Sequence, residues 1–295
     1  MTATKSGVIV VEDNEITVSN PQKLLWTEAG ITKIEYLQKL IALSPYLLTY
    51  SRNRYMTVIR YPNGVDGKSF YQKNAPNPLP DFVKTAVHNA IEYIHMDSLS
   101  TLLWLGNLAA LEFHPSFEYI GGEEPAEWVL DIDPSQEEEP RLMEAVAIIG
   151  EALTSMGIES VPKTSGATGV QIFVPILKGH TFEQLRRIGK FIGNYLTQKH
   201  PELFTIERLK KNREDRIYID YVQHWAGKSL SAPYTPRARK EATVSTPLTW
   251  DEVRKGISPK QFTLQTIEAR LKEKGDLIAK VKKQSLESVI EFIGL

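Results

Sequence analysis

Residues Trp128-Val129-Leu130-Asp131-Ile132-Asp133-Pro134 constrain this chain more than any other stretch. They read as a short apolar strand that ends in two carboxylates one residue apart. Side chains alternate along a strand, so Asp131 and Asp133 project from one face while Ile132 points into the core. Pro134 withholds the next ladder donor and stops the strand. Two carboxylates on one face repel unless a positive charge sits between them. Hard oxygen ligands suit Mg²⁺ or Mn²⁺. Taken alone, the pattern fits either a solvated strand end or one side of a metal site.

Composition narrows the class. The chain has 295 residues, 42% hydrophobic and 24% charged, with a net charge of −1. That is ordinary globular composition with ample core material. The net charge argues against a generic nucleic-acid coat, so an anionic partner must be held by local clusters. There are no cysteines, which excludes disulfides, thiolate zinc sites and a cysteine nucleophile. No apolar run approaches the ~20 residues that span a bilayer. Met1 to Asn14 lacks the charged-then-apolar order of a signal peptide. A cytoplasmic protein without a membrane partner is expected.

The alternation of elements predicts an α+β fold. Gly7–Val11 and Glu15–Val18 read as a hairpin. Asn20-Pro21 opens a turn, and Thr32 caps a helix with Tyr36, Leu37, Leu40, Ile41 and Leu47 on its stripe. Tyr55–Tyr61 and Phe70–Lys73 read as strands, and 86–95 as extended or mixed. Leu102–Leu111 reads as an apolar helix ending at Glu112-Phe113-His114-Pro115. A helix is predicted over about 141–156, a strand over Val170–Ile176, a Thr181-capped helix after it, and a strand over Ile217–Val222. The tail, 248–295, reads as mostly helical. No linker stands out, so one domain over 1–295 is expected, with a catalytic core of about 50–240.

Three further segments carry candidate chemistry. Asp220 lies in an apolar strand, where a carboxylate must be paired or metal-bound. It reads either as an aspartate bonded to a nearby arginine or as the third carboxylate of a two-metal site. Such a site clamps the attacking and leaving oxygens of phosphoryl transfer. Thr164-Ser165-Gly166-Ala167-Thr168-Gly169 offers hydroxyls and backbone donors to phosphate oxygens. It lacks the Lys-Ser/Thr of a P-loop, and a plain glycine turn is the other reading. Arg237 and Arg239 are spaced to share one side of an extended segment, where arginine matches phosphate geometry; solvated surface charge is the alternative. His88, His95, His180, His200 and His224 show no ligand spacing.

In combination these pieces resemble the polymerase domain of bacterial ligase D, in the archaeo-eukaryotic primase superfamily. The matching segments run in order. They are Asn20-Pro21-Gln22-Lys23, Arg60-Tyr61-Pro62-Asn63-Gly64, Gly67-Lys68-Ser69-Phe70-Tyr71-Gln72-Lys73, Leu111-Glu112-Phe113-His114-Pro115 and Leu130-Asp131-Ile132-Asp133-Pro134. Thr164-Ser165-Gly166, Ile219-Asp220-Tyr221 and Ala232-Pro233-Tyr234-Thr235-Pro236-Arg237-Ala238-Arg239 follow. The resemblance covers essentially residues 20–280.

The resemblance implies a primase-like core of two packed mixed sheets with flanking helices. It implies template-directed nucleotidyl transfer that fills short gaps at double-strand breaks in non-homologous end joining, often favouring ribonucleotides. By match, Asp131, Asp133 and Asp220 are the metal ligands for two Mn²⁺ or Mg²⁺ ions. Ser165 and Arg237 hold the incoming NTP or dNTP, with His114 and Gln223 near it. Lys23 and Lys33 grip a downstream 5′-phosphate. Phe70 and Tyr71, beside Lys73, stack on the template. Because Phe70 and Tyr71 are adjacent on a strand, a core position is expected for one of them.

Two positions depart from the family pattern. Thr168 stands where lysine is usual, and Gln171 where histidine is usual, both facing the nucleotide phosphates. A lost charge-assisted contact costs about 1.5–3 kcal/mol, so weaker nucleotide binding is expected. Lys163 and the 208–213 cluster are the candidate substitutes. The chain shows no K-x-D-G ligase motif and no nuclease domain. A DNA ligase and a Ku-type end-binding protein are therefore expected as partners on other chains, or as parts of a longer one. Two rivals remain: a weakly active or inactive module that holds a 5′-phosphorylated gap, and a primer-independent primase.

Overall fold

The computed structural model describes residues 6–294. The reading of the first five residues as part of no signal sequence lies outside them. The chain forms two compact units, each assembled from three segments. Unit 1 comprises residues 1–116, 229–245 and 260–273, and unit 2 comprises 117–228, 246–259 and 274–295.

Unit 1 opens with the expected hairpin. β1 (Ser6–Val11) and β2 (Asn14–Ser19) pair antiparallel. β3 (Leu24–Trp26) and β4 (Ile31–Thr32) form a second small pair. α1 (Lys33–Ser51) starts at a capping box, in which Thr32 and Glu35 satisfy each other's backbone donors. Its stripe of Tyr36, Leu37, Leu40, Leu43 and Leu47 is fully buried. β5 (Arg54–Arg60), β6 (Phe70–Gln72), β7 (Lys84–His88) and β8 (Ile91–His95) make a sheet ordered β6-β5-β8-β7. α2 spans Leu99–Asn107, and β9, Ala110–Tyr119, also pairs with β5.

The boundary between α2 and β9 corrects the sequence reading. The apolar run 102–111 does not stay helical to Glu112. Ala109 turns the chain at φ 58°, and Ala110 to Pro115 is strand. Apolar content alone does not separate a buried helix from a buried strand, and no glycine marks the turn.

Unit 2 carries a mixed five-stranded sheet. Its strands are β10 (Glu127–Asp133), β11 (Val161–Thr164), β12 (Val170–Pro175), β13 (Phe204–Thr205) and β14 (Ile217–Asp220), ordered β11-β12-β10-β14-β13. β13 and β14 are parallel and the other pairs antiparallel. α3 (Leu142–Ser155) and α4 (Phe182–Lys199) bury apolar faces, and Thr181 caps α4 as expected. Gly189 of α4 sits against Leu130 and Tyr221, so α4 covers the sheet face opposite the aspartates.

The tail is far less helical than expected. Among its described residues it holds only α5 (Trp250–Arg254), α6 (Ile267–Lys274) and α7 (Glu287–Phe292), with two short 3-10 turns and irregular chain between them. Residues 260–273 pack in unit 1, where Leu264, Ile267 and Leu271 join the core. The local charge pattern said nothing of that anchorage. Among the described residues, no helix is long and apolar enough to cross a membrane.

Candidate active site

The aspartates come together by register. Asp131 and Asp220 are direct partners on antiparallel β10 and β14, so their side chains share a face. Asp133, two residues along β10, projects from the same face. Asp131 is 8% exposed, and its Oδ1 has no hydrogen-bond partner. Burial, then the charges of Asp133 and Asp220, push the Asp131 carboxyl well above the usual range. Burial and Asp220 push Asp133 up, against the pull of Arg213 and Lys210. Asp220 Oδ1 accepts from the backbone N–H groups of Val222 (3.0 Å) and Gln223 (2.9 Å), which fixes this carboxylate at the strand end.

An unpartnered buried oxygen among three hard, mutually repelling ligands fits a divalent cation. Among the described residues, no three histidine, aspartate or glutamate groups form a ready-made cage. Magnesium-type ions take few protein ligands and complete their shell with water and substrate phosphate.

The glycine turn lies alongside. Ser165 Oγ accepts from Ala167 N and Gly169 N, each at 3.1 Å. Gly166 takes φ +71° at the turn. A Cβ on Gly169 would stand 2.6 Å from the Ile132 carbonyl oxygen and 3.1 Å from Asp133 Oδ1. Only glycine lets the turn come this close to the aspartate strand. Thr168 is half-buried on the turn. Gln171 is 2% exposed and stands directly opposite Asp131 across the strands. Lys163 is 1% exposed and donates to Gln171 Oε1. That overturns its expected use as a substitute cation for phosphate, because its ammonium is engaged inside the sheet. Lys210 and Arg213, of the other candidate cluster, lie near Asp133.

Unit 1 holds a separate constellation, one member of which the sequence reading missed. Glu112 and His114 alternate on β9. His114 Nε2 lies 3.0 Å from Glu112 Oε2, and Arg237 Nε donates to the same oxygen at 2.9 Å. Ala238 N donates to Oε1 at 3.1 Å. Burial raises the Glu112 carboxyl, but the His114 bond, Arg237 and the Ala238 bond outweigh it and hold it at about 2. Glu112 thus aims both nucleotide-binding candidates. The i, i+2 spacing of Glu112 and His114 was the available signal, hidden by the helix assigned up to Glu112.

Glu112 also ties stability to pH. Its folded pKa lies below the ordinary 4.5, so its contribution is complete above that value and is lost as pH falls towards about 2. Breaking this buried network by Glu112→Gln is expected to cost about 3–5 kcal/mol. It should also flatten the acid limb of urea-measured stability over that window. An unchanged acid limb would show that Glu112 carries no such network.

A third cluster surrounds Lys33, which is 5% exposed at the start of α1. Its Nζ donates to Asn107 O (2.9 Å) and Ser19 Oγ (3.2 Å). Burial first, then Lys23 and Arg60, lower its pKa. An anion placed among these three cations would relieve their mutual repulsion. Lys23 Nζ donates to Pro62 O and Asn63 Oδ1. Arg60 was not singled out from sequence. It donates to Leu108 O and Gln72 Oε1, and its guanidinium lies 5.2 Å from the centre of the Phe70 ring.

The aromatic pair departs from expectation. Neither ring enters the core: Phe70 is 44% exposed and Tyr71 72%. Both rings lie on β6, a three-residue edge strand. Lys73 is exposed beside them.

A sequence profile described as the LigD primase-polymerase domain matches residues 32–278, most of the chain. The chain belongs to the LigD primase-polymerase family. It is 42% identical over 255 residues to the bifunctional non-homologous end joining protein LigD of Bacillus subtilis, covering 86% of this chain and 42% of that protein. It is 28% identical to the multifunctional LigD of Mycolicibacterium smegmatis, over 90% of this chain and 36% of that one. This LigD-type chain therefore spans less than half the length of these curated relatives. The polymerase domain of Mycobacterium tuberculosis ligase D, solved in complex with DNA, superposes with a TM-score of 0.82 at 27% identity. The match covers 90% of this chain and 97% of that one. This supports the α+β reading with two multi-stranded sheets.

Proposed function

We propose that the chain is a template-directed nucleotidyltransferase that fills short gaps at broken DNA ends during non-homologous end joining. The observation that carries this reading is the Asp131–Asp220 cross-strand pair, with Asp133 beside it and a buried, unpartnered Asp131 Oδ1. Membership of the LigD primase-polymerase family supports it.

Roles follow unit by unit. In unit 2, Asp131, Asp133 and Asp220 hold two divalent cations, Mn²⁺ or Mg²⁺. When bound, the ions supply activation of the primer 3′-hydroxyl and stabilisation of the leaving pyrophosphate. Ser165 and Thr168 present the glycine turn to the triphosphate, Gln171 braces Asp131, and Gln223 lies near the nucleotide. In unit 1, His114 and Arg237, both held by Glu112, contact the nucleotide. Lys23 and Lys33, joined by Arg60, take the 5′-phosphate of the downstream strand. Phe70, Tyr71 and Lys73 form the surface on which template bases stack. Ribonucleotides are the preferred substrates. A ligase and a Ku-type end-binding protein supply the remaining steps, in the cytoplasm at the nucleoid.

Replacing both exposed rings (Phe70→Ala with Tyr71→Ala) should weaken gapped-DNA binding by about 1–3 kcal/mol per stacked base, with little change in thermal stability. Fluorescence anisotropy on a gapped duplex reads the first and a thermal melt the second. Unchanged affinity would remove the rings from the DNA surface.

The reading as a whole is tested by extension on a one-nucleotide gap with Mn²⁺, comparing a downstream 5′-phosphate with a 5′-hydroxyl and NTP with dNTP. Preference for the phosphorylated gap and for NTP is expected. Tight gap binding without addition would favour the end-binding module, and synthesis on template without primer would favour a primase.

A further inference from the structure

Lys163, Gln171, Asp131 and Asp220 are successive cross-strand partners on β11, β12, β10 and β14. Directly opposed residues on neighbouring strands share a face. A lysine, an amide and two carboxylates therefore stand in one row across the sheet. The lysine is almost completely buried, where an ammonium must find a partner. It donates to Gln171 Oε1.

That bond decides which way the amide points. An ammonium carries three donors and no acceptor, so it faces the oxygen end of Gln171 and turns the NH₂ end away. On its other side Gln171 faces Asp131, its cross-strand partner. The NH₂ end is therefore the end that Gln171 offers to Asp131, whose Oδ1 has no hydrogen-bond partner. A glutamine amide is nearly symmetric in shape, and a flipped one would set Oε1 against the carboxylate, acceptor against acceptor. The lysine forbids that flip.

We propose that Lys163 is a positioning residue for the ion site: by holding the Gln171 amide with its NH₂ end towards Asp131 it orients that carboxylate for the cation. Lys163 touches neither ion nor nucleotide. This rests on the assignment of Asp131 as an ion ligand.

The test is calorimetric Mn²⁺ titration of the whole protein, without nucleotide or DNA. The variants are Lys163→Met, Gln171→Leu, their combination and Asp131→Asn, each checked for folding by circular dichroism. Partners that orient a metal ligand typically set affinity by ~10–100-fold. Lys163→Met and Gln171→Leu should each raise the Mn²⁺ Kd about tenfold or more, and the double variant should be no worse than Gln171→Leu. An unchanged Kd in Lys163→Met overturns the proposal. So does a Lys163→Met effect that persists in full without Gln171, since the lysine would then act directly by its charge. Asp131→Asn separates the two levels. If it binds Mn²⁺ as wild type does, the ion-site reading falls and the relay with it; if it alone loses binding, only the relay falls. Should Lys163→Met not fold, the wild-type Gln171 side-chain NH₂ resonance, identified by its loss in Gln171→Leu, replaces it. That resonance should shift on Mg²⁺ addition, and a resonance indifferent to Mg²⁺ overturns the proposal.

Discussion

Asp131→Asn is expected to make the metal-free protein more stable and to abolish nucleotide addition. Asp131 is buried among like charges with one oxygen unpartnered. Asparagine keeps its shape and an acceptor for Gln171 while removing the charge. Relieving an unsatisfied buried acceptor recovers about 1–3 kcal/mol, which raises Tm by a few degrees in a protein of this size. The gain should vanish in Mn²⁺. Wild type is stabilised by binding in proportion to ln(1 + [L]/Kd), and the variant is not. Losing about 4 kcal/mol of transition-state charge stabilisation corresponds to roughly a thousandfold in rate. Thermal melts in chelator and in Mn²⁺, beside primer extension, read both effects. A variant less stable than wild type in chelator would mean that the carboxylate is structural and not strained for a cation.

Gly169→Ala is expected to cost both stability and activity. The new Cβ would meet the Ile132 carbonyl oxygen at 2.6 Å and Asp133 Oδ1 at 3.1 Å. The first obstacle is backbone of a central strand and cannot rotate aside. Ile132 pairs with Val170, the next residue along, so relief requires β10 and β12 to part. Overpacking of this kind typically costs about 1–3 kcal/mol, and activity should fall further than stability because Asp133 is displaced. Gly7→Ala is the control, since nothing lies within 4 Å of its Cβ position. Urea denaturation that found the two variants equally stable would refute the close approach.

Much of this site was legible where one strand or one cap carries the information. The alternation at Asp131 and Asp133 survives in the structure, and Thr32 and Thr181 cap their helices as their sequences predict. What failed depended on neighbours distant in sequence. Alanine, not glycine, takes the left-handed turn at 109, so the strand bearing Glu112 was hidden, and with it the link from His114 to Arg237. Phe70 and Tyr71 are both exposed because nothing covers either face of β6 at these positions, which no local pattern states. Lys163 was a candidate substitute for the missing phosphate-binding cation until the sheet register set it opposite Gln171. The tail's polar face suggested helix, but residues 260–273 are held by the core of unit 1.

The most direct test of the central claim is single-turnover addition of one nucleotide to a primer at a 5′-phosphorylated one-nucleotide gap in Mn²⁺, with wild type beside Asp220→Asn. Templated addition by wild type and none by the variant, with gapped-DNA affinity unchanged, is the predicted result. Equal addition by the two proteins, or none by either at saturating nucleotide, would contradict a polymerase built on these three aspartates.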